Sequence, residues 1–355
     1  MPEFFIGVDI GGTTSTLAIG DANHRVLAVS DQFPTSPHNG PSPVIAAIAQ
    51  QAIKELEALG ATLTEVPAVG LATPGPATND GVLLKTPNLN PEHWDRFPIR
   101  GELEKALREH APRLQVRYIG DGQAAALGEY AIRSRLLAWE GAPEGALPED
   151  ANPDDTLHSL FQVIVGTGFG GGAVIDGRPI RGREGRAGHV GHILLPEYAF
   201  RYPHDRTLQV GNATATAESA VSLTALAHQL GYRLTLDEWS DHPLRAAEGT
   251  NKDKAKQLRE LAAAGDALAN QLFDDQARAL GIALLCVNYL GDYDRIVIGG
   301  GVCDLAPGVR DRYRGLAEAA YHEHALDGFR NLDRLEFSVC GDAAPVVGAL
   351  AWALP

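Results

Sequence analysis

Short apolar runs bounded by glycine and proline turns alternate along this chain with longer stretches whose apolar positions return every three or four residues. The first pattern predicts buried strands and the second predicts amphipathic helices. Residues 4–31 predict a β-meander, with strands over 4–8, 16–20 and 25–30 and a reversal at Asp21-Ala22-Asn23-His24. A helix is predicted over about 43–59, because Ile45, Ile48, Ala52, Leu56 and Leu59 form one stripe and Gly60 is a stop signal. A strand over 66–71 runs into the rigid turn Thr73-Pro74-Gly75-Pro76, and 77–99 is loop-rich. Helix resumes over 101–109. A strand over 115–119 then brings Asp121 to its end, and Gly122 opens an alanine-rich helix to about 139.

The second half repeats the theme. Residues 141–157 predict an exposed insertion rich in Gly, Ala, Pro, Glu and Asp. Strands over 161–165 and 173–176 flank a second glycine turn, and Asp176-Gly177 is the next reversal. Helix begins near Ala215, and 253–290 is mostly helical, with Leu268, Leu272, Leu280 and Leu284 on one side. A strand over 295–298, Gly299-Gly300-Gly301, a helix over 308–323, a strand over 335–340 and a helix over 343–353 complete the chain. A β-hairpin with a glycine turn thus occurs once in each half, which predicts two similar α/β lobes around a central cleft. The expected division is a small N-terminal lobe over 1–118, with 342–355 packing back on it, and a larger lobe over 119–341.

Composition narrows the function classes. The chain has 355 residues, is 45% apolar and carries a net charge of −15, so it fills two cores and presents no basic tract for nucleic acid. Cys286, Cys303 and Cys340 have no metal-site spacing, and their odd number argues against a disulfide framework. No apolar stretch approaches membrane-spanning length, and the first apolar run is the first strand rather than a leader, so a cytoplasmic protein without membrane or nucleic-acid partners is expected.

The candidate chemistry sits on the two glycine turns. Asp9-Ile10-Gly11-Gly12-Thr13-Thr14 follows the first strand, and Gly166-Thr167-Gly168-Phe169-Gly170-Gly171-Gly172 follows the strand over 161–165. Bare backbone N–H groups and Thr hydroxyls on such turns suit phosphate oxygens. A nucleotide held between two such hairpins suggests phosphoryl transfer.

These turns, Pro74-Gly75-Pro76, the strand end at Asp121, Gly299-Gly300-Gly301 and Gly188-His189-Val190-Gly191-His192 occur in an order that resembles the ROK family of sugar kinases and repressors. The resemblance covers essentially the whole chain. It implies the two-lobed actin/hexokinase-like (ribonuclease H-like) fold, ATP and Mg²⁺ as cofactors, a hexose or hexose derivative as substrate, and a homodimer. On this resemblance Asp9 holds Mg²⁺ through water. Gly11, Gly12, Thr13, Thr14, Gly166, Thr167, Gly168 and Gly170 face the phosphates, and Gly300 and Gly301 pack against adenosine. Asp121 is the general base that takes the proton of the attacking sugar hydroxyl. Capping of the following helix is its compatible, purely structural role. Pro74, Gly75, Asn88, Gly120, Asp121, His189, His192 and Glu218 fall on the sugar side, with Trp94 either beside them or in a core.

Four departures from the family pattern stand out. Thr14 occupies a position where many relatives carry Lys. Gly120 replaces the Asn that precedes the catalytic Asp and binds a sugar hydroxyl in relatives. His189 replaces the Glu of Gly-Glu-x-Gly-His, exchanging a double acceptor for an imidazole that accepts one bond and donates one. Gln209, Gly211 and Thr216 replace the three cysteines of the family's structural zinc motif, so no structural zinc site is expected, and a metal-free loop is favoured over one built on His189, His192 and His204. The leading expectation is an ATP-dependent sugar kinase, with lobe closure excluding water. The alternatives are a catalytically degenerate sugar-sensing or regulatory protein and a kinase of an amino sugar, ketose or polyol.

Overall fold

The computed structural model describes residues 3–85, 89–141, 157–329 and 335–355. The chain forms two compact units, one of Met1–Gln162, Gly172–Gly188 and Val339–Pro355, the other of Val163–Gly171 and His189–Ser338. The insertion predicted over 141–157 falls almost wholly outside the described residues.

The first unit is built on a sheet of order β3-β2-β1-β5-β6, with β4 (Phe33–Pro34) paired to β2. β1 (Phe4–Ile10) runs antiparallel to β2 (Thr14–Asp21), which pairs with β3 (Val26–Val29). β5 (Ala68–Thr73) lies parallel to β1 and to β6 (Gln115–Gly120), the last pair ending in the register Thr73↔Gly120. Side chains alternate across a strand, so β1 divides its residues between two faces. Phe4, Ile6, Val8 and Ile10 join a core with Val44, Ile48, Leu56, Leu103 and Trp94, supplied by the helices Pro41–Ala58, Pro91–Trp94 and Ile99–Arg108. Gly7 faces the other way, toward the C-terminal helix Ala344–Ala353. That helix lies so close to the sheet that a Cβ on Gly70 would collide with the Ala349 carbonyl, and its Gly348 meets the helix Asp121–Arg133 at the Ala124 carbonyl. Only glycine permits backbone contact of this kind.

β7 (Ser159–Val165), β8 (Phe169–Ile175) and β9 (Arg178–Pro179) continue the chain into a second sheet of order β11-β10-β7-β8-β9, in which β7 and β8 pass from one unit to the other along their own length. In the second unit β10 (Arg295–Gly300) runs parallel to β11 (Leu335–Phe337). The helix Ala267–Gly291 forms this unit's spine, with Leu268, Leu272, Leu280 and Leu284 all fully buried and the helix Pro307–His324 packed alongside. Asp266 caps it, accepting from the Ala269 N–H at 2.8 Å.

Several boundaries differ from expectation. The alanine-rich helix stops at Arg133 rather than 139, because Arg135 adopts a left-handed conformation and Leu137 N–H turns back to the Ala131 carbonyl. The helical stretch 253–290 is three helices, Asn251–Ala255, Leu258–Ala263 and Ala267–Gly291, and the turn at Gly265 (φ 87°) separates the last two. β8 starts at Phe169, so Gly170 to Gly172 are strand residues rather than turn residues. Leu59, assigned to the apolar stripe, caps its helix and is exposed. Among the described residues no helix is long and apolar enough to cross a membrane.

Candidate active site

In the first unit the parallel strands β1, β5 and β6 deliver their C-terminal ends to one sheet edge, the place where open α/β sheets bind ligands. That edge carries Asp9, then Thr73 and Pro74, then Gly120 and Asp121. The turn after β1 is tight: Gly11 N–H donates to the Thr14 carbonyl at 2.9 Å, and a Cβ on Gly11 would stand 2.6 Å from that oxygen. Thr35 pins the turn from beneath. Its hydroxyl donates to the Gly11 carbonyl at 2.9 Å, its N–H donates to the Thr13 carbonyl at 2.9 Å, and it accepts the Ser15 hydroxyl at 2.8 Å. Gly12, Thr13 and Thr14 are left at least partly open to solvent. Nothing near Thr35 in the sequence signals this role, because its partners lie 20 and 24 positions away.

Asp9 and Asp121 dominate the electrostatics. Asp121 is the first residue of its helix, and its Oδ1 accepts from Gly122 N–H at 2.7 Å. Burial pushes its carboxyl up to about 6, against the downward pull of that bond and despite the favourable helix N-terminus. Burial, with the Asp121 charge second, pushes Asp9 up to about 8. Both side chains keep some solvent access, yet protein surrounds them densely. Among the described residues no cation or hydrogen-bond donor is bonded to the Asp9 carboxylate. A hard divalent cation fits such an unpaired acid and would restore its charge.

Pro74 is buried and Gly75 half-buried beyond the end of β5, where the Thr73 hydroxyl meets the Tyr118 hydroxyl at 2.9 Å. Asn88 lies outside the described residues. Trp94 is a core residue with no exposed surface, its indole N–H donating to the Pro37 carbonyl at 2.8 Å, which removes it from the sugar side.

The second unit gathers the other candidates. Gly166 N–H donates to the Gly168 carbonyl at 3.0 Å, closing the turn between β7 and β8. Thr224, in the helix Leu223–Arg233, donates its hydroxyl to the Thr167 carbonyl at 2.8 Å and steadies it. Gly170 has moved into β8, so it does not belong to the turn itself. Glu218 accepts from Phe169 N–H at 2.9 Å, and its carboxylate would stand 2.9 Å from a Cβ on Gly168. Gly191 packs against the same Phe169 backbone and Glu218 carboxylate. The structure therefore joins Glu218, the second glycine turn and the Gly191 loop. His189 and His192 are exposed at the ends of that loop, with ring centroids 6.2 Å apart.

Gly300 (φ 80°) lies against the Val165 backbone, and Gly301 against the Arg259 guanidinium, which Asp304 holds at 2.9 Å. Arg259 is a cation at this turn that the sequence patterns do not single out. Gln209 and Gly211 lie in a small turn closed by Val210 and Ala213, and Thr216 caps a helix by accepting from Ser219 N–H. His204 stacks between His228 and Tyr232 rather than meeting His189 or His192.

A family model described as the ROK family matches residues 5–137 and 142–355. A glucokinase of Halalkalibacterium halodurans is 28% identical over 303 residues, covering 84% of this chain and 81% of the relative. An N-acetylmannosamine kinase of Salmonella arizonae is 28% identical over 332 residues, covering 92% of each. The crystal structure of a ROK family glucokinase from Streptomyces griseus in complex with glucose and AMPPNP superimposes with a TM-score of 0.70 at 26% identity, covering 99% of both chains.

Proposed function

Since the chain belongs to the ROK family, we propose that it is an ATP-dependent kinase that phosphorylates a hydroxyl of a hexose or hexose derivative, with Asp121 as general base. The fold is the mixed α/β, two-sheet fold of the actin/hexokinase-like sugar kinases. The observation that carries the reading is the Asp121 carboxyl, held at a parallel-strand end and raised to about 6, so that it is ionised at neutral pH yet basic enough to accept a proton.

In the proposed step an oxygen lone pair of the sugar hydroxyl attacks the γ-phosphorus of ATP. The bond from that phosphorus to the β,γ-bridging oxygen breaks, ADP leaves, and the hydroxyl proton passes to an Asp121 carboxylate oxygen. Asp9 is the residue that would hold Mg²⁺ through water, and the ion would supply charge neutralisation at the phosphates. The backbone N–H groups of the turns at Gly11 to Thr14 and Gly166 to Gly168 are assigned to phosphate oxygens, and Glu218 and His192 to sugar hydroxyls. Glucose and N-acetylmannosamine, on which the named relatives act, are the first probes. Incubation with MgATP and a panel of hexoses, amino sugars, ketoses and polyols is expected to give sugar-dependent ADP release. Release no faster with any sugar than without would remove the assignment.

A further inference from the structure

Each glycine turn is braced by a threonine that lies outside it. In the first unit Thr35 is fully buried, and its hydroxyl donates to the Gly11 carbonyl at 2.9 Å. A hydroxyl has one proton, so in the 2.8 Å bond between Thr35 and the buried Ser15 hydroxyl, Ser15 is the donor. Thr35 N–H also donates to the Thr13 carbonyl at 2.9 Å. In the second unit the Thr224 hydroxyl donates to the Thr167 carbonyl at 2.8 Å, and the N–H of its neighbour Leu223 donates to the Gly166 carbonyl at 2.9 Å.

A trans peptide sets the carbonyl of one residue and the N–H of the next in opposite directions. With the Gly11, Gly166 and Thr167 carbonyls held by these donors, the N–H groups of Gly12, Thr167 and Gly168 point away from the braces. The N–H groups of Gly12, Thr13, Thr167 and Gly168 make no hydrogen bond among the described residues. All four residues keep some solvent access. The peptides Gly11–Gly12 and Thr167–Gly168 each include glycine, which tolerates either orientation of the peptide plane. Turned over, each would present a carbonyl oxygen to an anion in place of an N–H.

We propose that Thr35 and Thr224 are positioning residues for the phosphate donor: each locks one glycine peptide of its turn, so that the N–H faces the phosphate chain before the nucleotide binds. The inference rests on the kinase reading above. The braces act through the turns, and the group recognised is an anionic phosphate oxygen. Donors fixed in advance lose no freedom on binding and need no rearrangement as charge develops.

Thr35→Val and Thr224→Val delete the hydroxyl at nearly constant shape, and Thr35→Ser and Thr224→Ser keep it. MgAMPPNP binding by calorimetry, and steady-state kinetics with MgATP and the best sugar, read the outcome. Each Val variant is expected to raise the MgAMPPNP Kd and the ATP KM about tenfold, with the sugar KM within about twofold of wild type. The Ser variants should stay within about threefold of wild type in both nucleotide constants. Thr224 is exposed, so Thr224→Val should move Tm by less than about 2 °C. Thr35→Val leaves the Ser15 hydroxyl and the Gly11 carbonyl without their partner, and if it fails to fold, Thr224→Val alone decides. An unchanged MgAMPPNP Kd in Thr224→Val, Ser variants as weak as the Val variants, or a sugar KM that rises as much as the ATP KM overturns the inference and leaves the kinase reading intact. If the wild-type protein turns over no sugar, that reading fails instead, and the MgAMPPNP Kd values still decide. A wild-type protein that binds no MgAMPPNP overturns both.

Discussion

Asp9 and Asp121 bring two carboxyls together where burial disfavours the charge of each. A carboxyl whose folded pKa lies above its unfolded value lowers stability as pH rises past the unfolded value, because the unfolded chain releases its proton first. Its cost is absent below the unfolded value near 4, grows as pH rises from there to the folded values, here about 6 and about 8, and is constant above them. Free of nucleotide and metal, the protein is therefore expected to lose stability through this pair between about pH 4 and pH 8. Asp9→Asn should raise Tm at pH 8.5 by at least about 2 °C, and by clearly less at pH 5. Thermal unfolding at the two pH values checks this, and a variant less stable than wild type at pH 8.5 would refute it. Both acids were legible in the sequence because each closes an apolar run with a glycine-bearing turn. Thr35, Thr224 and Arg259 were not. Their partners at Gly11, Thr167 and Asp304 lie 24, 57 and 45 positions away, and no local pattern marks such a pairing.

The element that organises the first unit is the C-terminal helix Ala344–Ala353, wedged between the sheet and the helix that carries Asp121. Its fit depends on glycine at both contacts and on Leu350, which is fully buried. Leu350→Ala is expected to cost about 2–5 kcal/mol of unfolding free energy, measured by denaturant titration. A loss under about 1 kcal/mol would show that the helix is not packed as described. The strands carrying the site were readable because short apolar runs between turn residues admit few other structures. Helix ends were less so. Alanine-rich composition continues past Arg133, and the stop comes from a non-glycine residue, Arg135, in a left-handed conformation that its identity does not announce.

At the scale of the whole molecule, the resemblance implies a cysteine motif at positions where this chain carries Gln209, Gly211 and Thr216. The second unit contains a buried ion pair nearby in sequence. Arg233, with no exposed surface, donates to both Asp205 carboxylate oxygens at 2.7 and 2.8 Å, reaches Asp275 at 3.4 Å, and lies over the Tyr202 ring. Removing one partner of such a pair strands the other charge, so Arg233→Ala is expected to cost about 3–5 kcal/mol. EDTA should shift the Tm of the wild-type protein by less than about 1 °C. Calorimetry reads both, and a large EDTA effect with a mild Arg233→Ala effect would point to a metal rather than the ion pair as the support of this region. That Gln209, Gly211 and Thr216 are not cysteines is legible in the sequence. The Arg233 network was not, because its members are dispersed from Tyr202 to Asp275 and meet only in the folded unit.

The most direct test of the central claim compares Asp121→Asn with the wild-type protein, using MgATP and the best sugar. The account predicts a loss of about 10²–10⁴-fold in kcat, with nucleotide Kd within about threefold. It also predicts a wild-type rate that falls roughly tenfold per pH unit below about pH 6, a limb absent from the residual activity of the variant. A variant that phosphorylates sugar at the wild-type rate with the same pH profile would contradict the assignment of Asp121 as the base.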